Sequence, residues 1–196
     1  DQNAQEQRYP ASITKVMTAM LAIEAVDRGE LSLNDVITVG SEVNREVGDG
    51  SSTQNIKEGE QIRLEDVLYC ALTASANEAC NVLAQAVSGS VDDFVALMNQ
   101  RAGELGMEDT HFANTHGYHN EEHYTTAYDI ALMCREAMQH ETFRTIVTAK
   151  SYIVPATNLH EARELHDTNA LVSTWRITGY YYEYATGIKT GSTPEA

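Results

Sequence analysis

The sequence predicts an α+β fold in which a helix-rich body comes first and short β segments come last. Three observations carry this. Ile13, Val16, Met17, Met20 and Leu21 recur at helical spacing behind Pro10. Two further apolar helical stretches flank the small polar run Thr73-Ala74-Ser75-Ala76-Asn77. From Lys150 onward the pattern changes to short β-like runs that end in Gly187-Ile188-Lys189-Thr190-Gly191. No internal repeat or low-complexity tract divides residues 1–196, so one domain is expected.

The first helix starts at Ser12 and carries Arg28 in its last turn, with Gly29 as its stop. Residues 31–39 read as a turn followed by a short strand, and the polar, glycine-bearing stretch Val47 to Gly59 as a surface loop. Helices are expected from Leu64 towards Leu72 and from Glu78 to Val87. Ser90 with Asp93 three positions on forms a variant capping box for another, with Phe94, Leu97, Met98 and Leu105 facing inward and Gly106 ending it. Residues 110–125 read as loop, and Thr126 with Asp129 opens a helix through Met138.

A net charge of −16 argues against nucleic acid or an anionic membrane surface as a main partner, because both call for a basic face. It also means that a carboxylate substrate needs a local pocket of lysines. No run of apolar residues is long enough to span a membrane, and no signal peptide heads the chain. Cys70, Cys80 and Cys134 match neither zinc nor redox spacings; buried thiols are the plain reading and a reactive thiol the alternative. His111, His116, His119 and His123 invite a metal, but their spacing fits no standard site, and a hydrogen-bonded loop is preferred. Tyr180, Tyr181, Tyr182 and Tyr184 are read as a packed, partly exposed segment in preference to a carbohydrate platform.

Three short motifs carry chemistry. In Ser12-Ile13-Thr14-Lys15 the spacing puts hydroxyl and amine one helical turn apart on one face, where the amine can take the serine proton. The helix start adds N–H groups and a dipole that favour negative charge on an attacked carbonyl. In Ser75-Ala76-Asn77 a serine can relay a proton and an asparagine can hold a peptide amide with donor and acceptor. In Lys189-Thr190-Gly191, expected in a strand, lysine and threonine can bind a carboxylate while glycine admits close backbone approach. Each alone matches loops and caps everywhere; the ordered set of three is the known signature of penicillin-binding proteins and class A β-lactamases.

The resemblance extends further. Arg8 to Ala19, Asp66 to Ala84, His116-Gly117-Tyr118, Tyr124 to Asp129, and Gly187 to Thr193 all resemble serine D-alanyl-D-alanine carboxypeptidases. This implies the serine β-lactamase/penicillin-binding-protein fold, here mainly its helical region plus the Lys189-Thr190-Gly191 strand. It also implies an extracytoplasmic enzyme that needs no cofactor or metal, acts on peptidoglycan stem peptides ending in D-Ala-D-Ala, and is acylated by β-lactam antibiotics. By resemblance Ser12 is the nucleophile, Lys15 the general base and Ser75 the proton relay. Asn77, Lys189, Thr190 and Gly191 bind substrate, and the N–H groups of Ser12 and Ser192 form the oxyanion hole. The β-lactamase alternative lacks the glutamate–x–x–leucine–asparagine loop of those enzymes, and Ala76 replaces their usual acid. A non-catalytic β-lactam-binding or scaffold domain is the other alternative. Thr168 stands where some family members carry a carboxylate-binding arginine. Only 11 residues precede Ser12 and five follow Gly191. A fragment without the family's flanking sheet strands is therefore expected, with weak or absent activity, or strand exchange between copies.

Overall fold

The computed structural model describes residues 3–194. A 3₁₀ turn at Ala11–Thr14 runs directly into α1 (Lys15–Asp27), and Gly29, at φ 75°, turns the chain away. Then follow β1 (Val36–Thr38), β2 (Gln61–Arg63), α2 (Leu64–Leu72), α3 (Asn77–Ser88) and α4 (Val91–Glu104). The chain continues with α5 (Ala127–Ala137), α6 (Glu141–Val147), β3 (Ser151–Val154) and β4 (Arg163–His166).

Helix α1 is apolar on every side, and a helix of that kind must lie inside. It packs against α2, α3, α4, α5 and α6, and Val16, Met17, Ala19, Met20, Ala22 and Ile23 have no exposed surface. Around it the helices present one apolar face each: Phe94 and Met98 of α4 are fully buried, while Leu97 and Leu105 are half-buried. The predicted caps form. Ser90 Oγ accepts the Asp93 N–H at 3.1 Å, and Thr126 Oγ1 accepts that of Asp129 at 3.1 Å.

Two small antiparallel ladders complete the fold. In the first, Val36, Ile37 and Thr38 face Arg63, Ile62 and Gln61; in the second, Ser151–Val154 face His166–Arg163. The second is tied to the helices through Tyr152, whose ring stacks on Tyr69 at 3.6 Å and whose hydroxyl donates to Asp66 Oδ1 at 2.7 Å. The buried Arg163 guanidinium donates to Glu60 Oε2 at 3.0 Å, linking β4 to the turn before β2.

Two expectations need correction. Lys189-Thr190-Gly191 lies outside any ladder, because among the described residues no segment pairs with it. The tyrosine run is exposed rather than packed: Tyr180 and Tyr184 are 65% and 71% accessible. Lys150 sits over the Tyr181 ring at 4.7 Å, and Tyr182 meets Tyr184 edge to face. The three cysteines are unpaired thiols; Cys70 and Cys80 are buried and Cys134 partly so. Burial pushes the Cys80 thiol up to about 12 and that of Cys134 up to about 11, which leaves them inert near neutrality.

Candidate active site

Lys15 is the first residue of the buried helix, and its side chain has no contact with solvent. The Nζ group donates to Ser12 Oγ at 2.7 Å and to the His116 carbonyl at 2.8 Å. Burial pulls this amine down to about 8, against a smaller opposing influence of Cys80 and Glu78. The pairing is what a serine needs to lose its proton near neutral pH.

The His116 carbonyl is held by the loop between α4 and α5. Asn114 Oδ1 accepts the N–H groups of His116 (3.3 Å) and Gly117 (2.8 Å), and Thr18 Oγ1 donates to the Thr115 carbonyl. Gly117 has φ +87°, and a Cβ there would stand 1.8 Å from the Ala11 carbonyl oxygen, so the loop reaches the Ala11–Thr14 turn only with glycine at this point. Ala11 itself has φ 48°, an unusual conformation for a residue with a Cβ, immediately before Ser12.

Two of the loop histidines are structural. His123 Nδ1 accepts the Ala113 N–H at 3.1 Å, so Nε2 carries the proton and donates to Thr14 Oγ1 at 2.7 Å. His116 Nδ1 accepts the Tyr118 N–H at 3.2 Å. Burial holds His116 down to about 3 and His123 down to about 4, assisted in His116 by the Lys15 charge and in His123 first by His111. Both folded values lie below the unfolded 6.5, so this stability is intact above that pH and is lost as pH falls below it. At pH 5 the cost is roughly 2 kcal/mol per ring, from 1.36 kcal/mol per pH unit. Asp167, raised to about 6 by burial, works in the opposite direction and offsets part of it. Melting temperature is expected to fall steadily between pH 7 and pH 5, and the slope to lessen in His123→Gln. An equal slope in that variant would remove His123 from the account.

Ser75 sits in the break between α2 and α3 with φ 62°, an unusual conformation for a residue with a Cβ. It is nearly buried, as is Asn77, the first residue of α3. The Asn77 N–H donates to the Ser52 carbonyl at 2.9 Å. Glu78 Oε1 accepts from the Gln54 N–H at 2.6 Å and the Thr53 hydroxyl at 2.8 Å, fastening the loop before β2 onto α3.

Lys189 is half-buried and donates to the Thr190 carbonyl at 3.0 Å. Burial, and after it the charge of Lys15, lowers its amine to about 7, so the two lysines share one electrostatic environment. The Thr190 hydroxyl lies 2.6 Å from that of Thr168. Gly191 passes so close to the turn holding Ser12 that a Cβ would come within 2.9 Å of the Pro10 carbonyl oxygen and 3.0 Å of Ile13 Cγ1.

An open cleft of roughly 470 Å³ brings Ser12, Asn77 and Ser192 onto common walls, with residues 49–52, 117–119 and 193–194 completing them. Lys15 lies beneath Ser12, while Ser75, Lys189, Thr190 and Gly191 stand outside the cleft lining. Sequence reasoning assigned no role to the His116 carbonyl, to Gly117 or to the loop at 49–52; the glycine between His116 and Tyr118 was the available signal. Elsewhere, Glu24, Glu136 and His140 bring possible metal-ligand atoms within 4.8 Å of one another. Arg101 Nη2 already donates to Glu24 (2.8 Å) and Glu136 (3.0 Å), supplying the cation.

The family described as D-alanyl-D-alanine carboxypeptidase, of peptidase class S11, matches residues 1–196. The chain belongs to this family. It is 33% identical over 197 residues to D-alanyl-D-alanine carboxypeptidase DacF of Bacillus subtilis, covering 100% of this chain and 48% of the relative. With DacA of Escherichia coli it shares 35% over 136 residues, 68% of this chain and 34% of the relative. The chain thus spans about half, or less, of these two curated relatives. A single-substitution mutant of the Streptomyces K15 DD-transpeptidase superposes with TM-score 0.85 at 28% identity, over 98% of this chain and 75% of that one. Penicillin binding protein 6B from Escherichia coli gives 0.83 at 31% identity, over 97% and 57%. These likenesses give the family's members and this chain one fold, that of the serine penicillin-recognising enzymes.

Proposed function

We propose that the protein removes the terminal D-alanine from peptidoglycan stem peptides through an acyl-enzyme on Ser12, and that β-lactams acylate the same hydroxyl. The observation that carries this is the buried Lys15 amine, lowered to about 8 and 2.7 Å from Ser12 Oγ. In its neutral form Lys15 takes the Ser12 proton as Oγ attacks the carbonyl carbon between the two D-alanines. The N–H groups of Ser12 and Ser192 receive the oxyanion. As the C–N bond breaks, the proton held by Lys15 is relayed through the Ser75 hydroxyl to the departing amine, which returns Lys15 to its neutral form, and water then hydrolyses the ester. Lys189 and Thr190 hold the terminal carboxylate, Gly191 lets it approach, and Asn77 orients the peptide amide. A bound carboxylate favours the charged form of Lys189, leaving Lys15 as the amine that gives up its proton. The substrate places the enzyme in the cell envelope, outside the cytoplasmic membrane.

Exposure to benzylpenicillin followed by peptide mass spectrometry is expected to give one adduct, on Ser12, that is absent from Ser12→Ala. An adduct elsewhere would overturn the assignment. Steady D-alanine release from diacetyl-Lys-D-Ala-D-Ala marks the hydrolase. Acylation without release would mark a binding module, and rapid nitrocefin hydrolysis a β-lactamase.

A further inference from the structure

Thr168 is fixed between β4 and a tightly bonded turn. The Asp167 N–H donates to the Lys150 carbonyl at 3.0 Å, and the Asn169 N–H to Asp167 Oδ1 at 2.5 Å. Asn169 in turn accepts the Leu171 N–H on Oδ1 at 3.0 Å, and those of Val172 (3.0 Å) and Ser173 (2.9 Å) on its carbonyl. The residue therefore has little freedom to swing, and its hydroxyl meets Thr190 Oγ1 at 2.6 Å, with both side chains half-buried.

Two hydroxyls own two protons, and the bond between them uses one. The other is left for a third partner. If Thr190 donates to Thr168, Thr190 offers that partner only lone pairs, which an anion repels. If Thr168 donates to Thr190, the Thr190 proton points outward. Thr190 follows Lys189, whose cation draws an anion to this place, and lies two residues before Ser192 on the cleft wall.

We propose that Thr168 is a positioning residue for carboxylate specificity: its hydroxyl donates to Thr190 Oγ1 and so commits the Thr190 proton to the free carboxylate of the stem peptide or β-lactam. This rests on the acyl-enzyme reading of Ser12 and on Thr190 as the carboxylate's receiver. Threonine at 168 adds no charge of its own, so selection works through the direction of one proton. A ligand whose carboxylate is esterified offers a weaker acceptor and gains less from it.

The test compares acylation rate constants for benzylpenicillin and its methyl ester, with melting temperature measured alongside. In Thr168→Val, which keeps the shape and removes the donor, Thr190 keeps its own proton but loses the partner that directs and polarises it, and the acid-to-ester ratio is expected to fall about three-fold. Thr168→Ser is expected to restore it. Thr168→Ala is read in the same way should valine prevent folding. An unchanged ratio in a folded, labelled Thr168→Val, or no recovery with serine, overturns the role of Thr168 alone. If the unsubstituted protein is labelled by neither compound, the acyl-enzyme reading falls and takes this inference with it.

Discussion

Lys15→Ala is expected to slow penicillin acylation of Ser12 roughly a thousand-fold, the usual worth of a well-placed general base. The loss has two sources. The proton acceptor 2.7 Å from Ser12 Oγ disappears, and the His116 carbonyl loses the donor that ties its loop to α1. Lys15→Met separates them, because it fills the space without supplying an amine. The pH profile carries the sign. An amine lowered to about 8 is mostly protonated at pH 6 and increasingly neutral above pH 7, so acylation of the unsubstituted protein should rise across that interval. The rising limb should be missing from Lys15→Ala. Normal acylation by either variant, or a persistent limb, would show that the base has been misassigned.

Gly117→Ala is expected to cost roughly 2–5 kcal/mol of stability, combining the penalty of positive φ with overpacking. The added carbon would stand 1.8 Å from the Ala11 oxygen, 2.4 Å from its carbonyl carbon and 2.8 Å from Thr14 Oγ1. The first two are backbone and cannot rotate aside, so either the loop or the Ala11–Thr14 turn must shift. Penicillin labelling should fall with stability, because the same loop supplies the His116 carbonyl to Lys15. Gly59→Ala is the control: φ is +81° there, but nothing lies within 4 Å of the added carbon, so it reports backbone strain alone. A Gly117→Ala protein with an unshifted urea midpoint and full labelling would contradict the packing described.

The helices were legible where apolar periodicity coincided with a chemical stop or start. Ser90 and Thr126 cap as their side chains require, and Gly29 and Gly106 turn out of α1 and α4 with positive φ. Helix α6 was missed. It has seven residues, and His140 at its start makes no side-chain cap bond, so neither period nor cap announces it. Strand β2 is three residues long and exists through its partner, Val36–Thr38, which lies more than 20 positions upstream. The strand expected at Lys189-Thr190-Gly191 did not form, because a strand is a property of its neighbours and none of the described residues pairs with this segment. At the site, Ser12 and Lys15 were visible because one helical turn joins them. The His116 carbonyl was not, since any residue supplies a carbonyl and only the fold selects which one faces the amine.

Asn77 and Glu78 both grip the segment 52–54, one through its N–H and the other through its carboxylate. The rim bearing Asp49 to Ser52 and the amide of Asn77 are thereby coupled as a single jaw. On the proposed role of Asn77, a substitution that displaces residues 52–54 is expected to shift Asn77 as well, so the width of the mouth and the alignment of a bound peptide would change together.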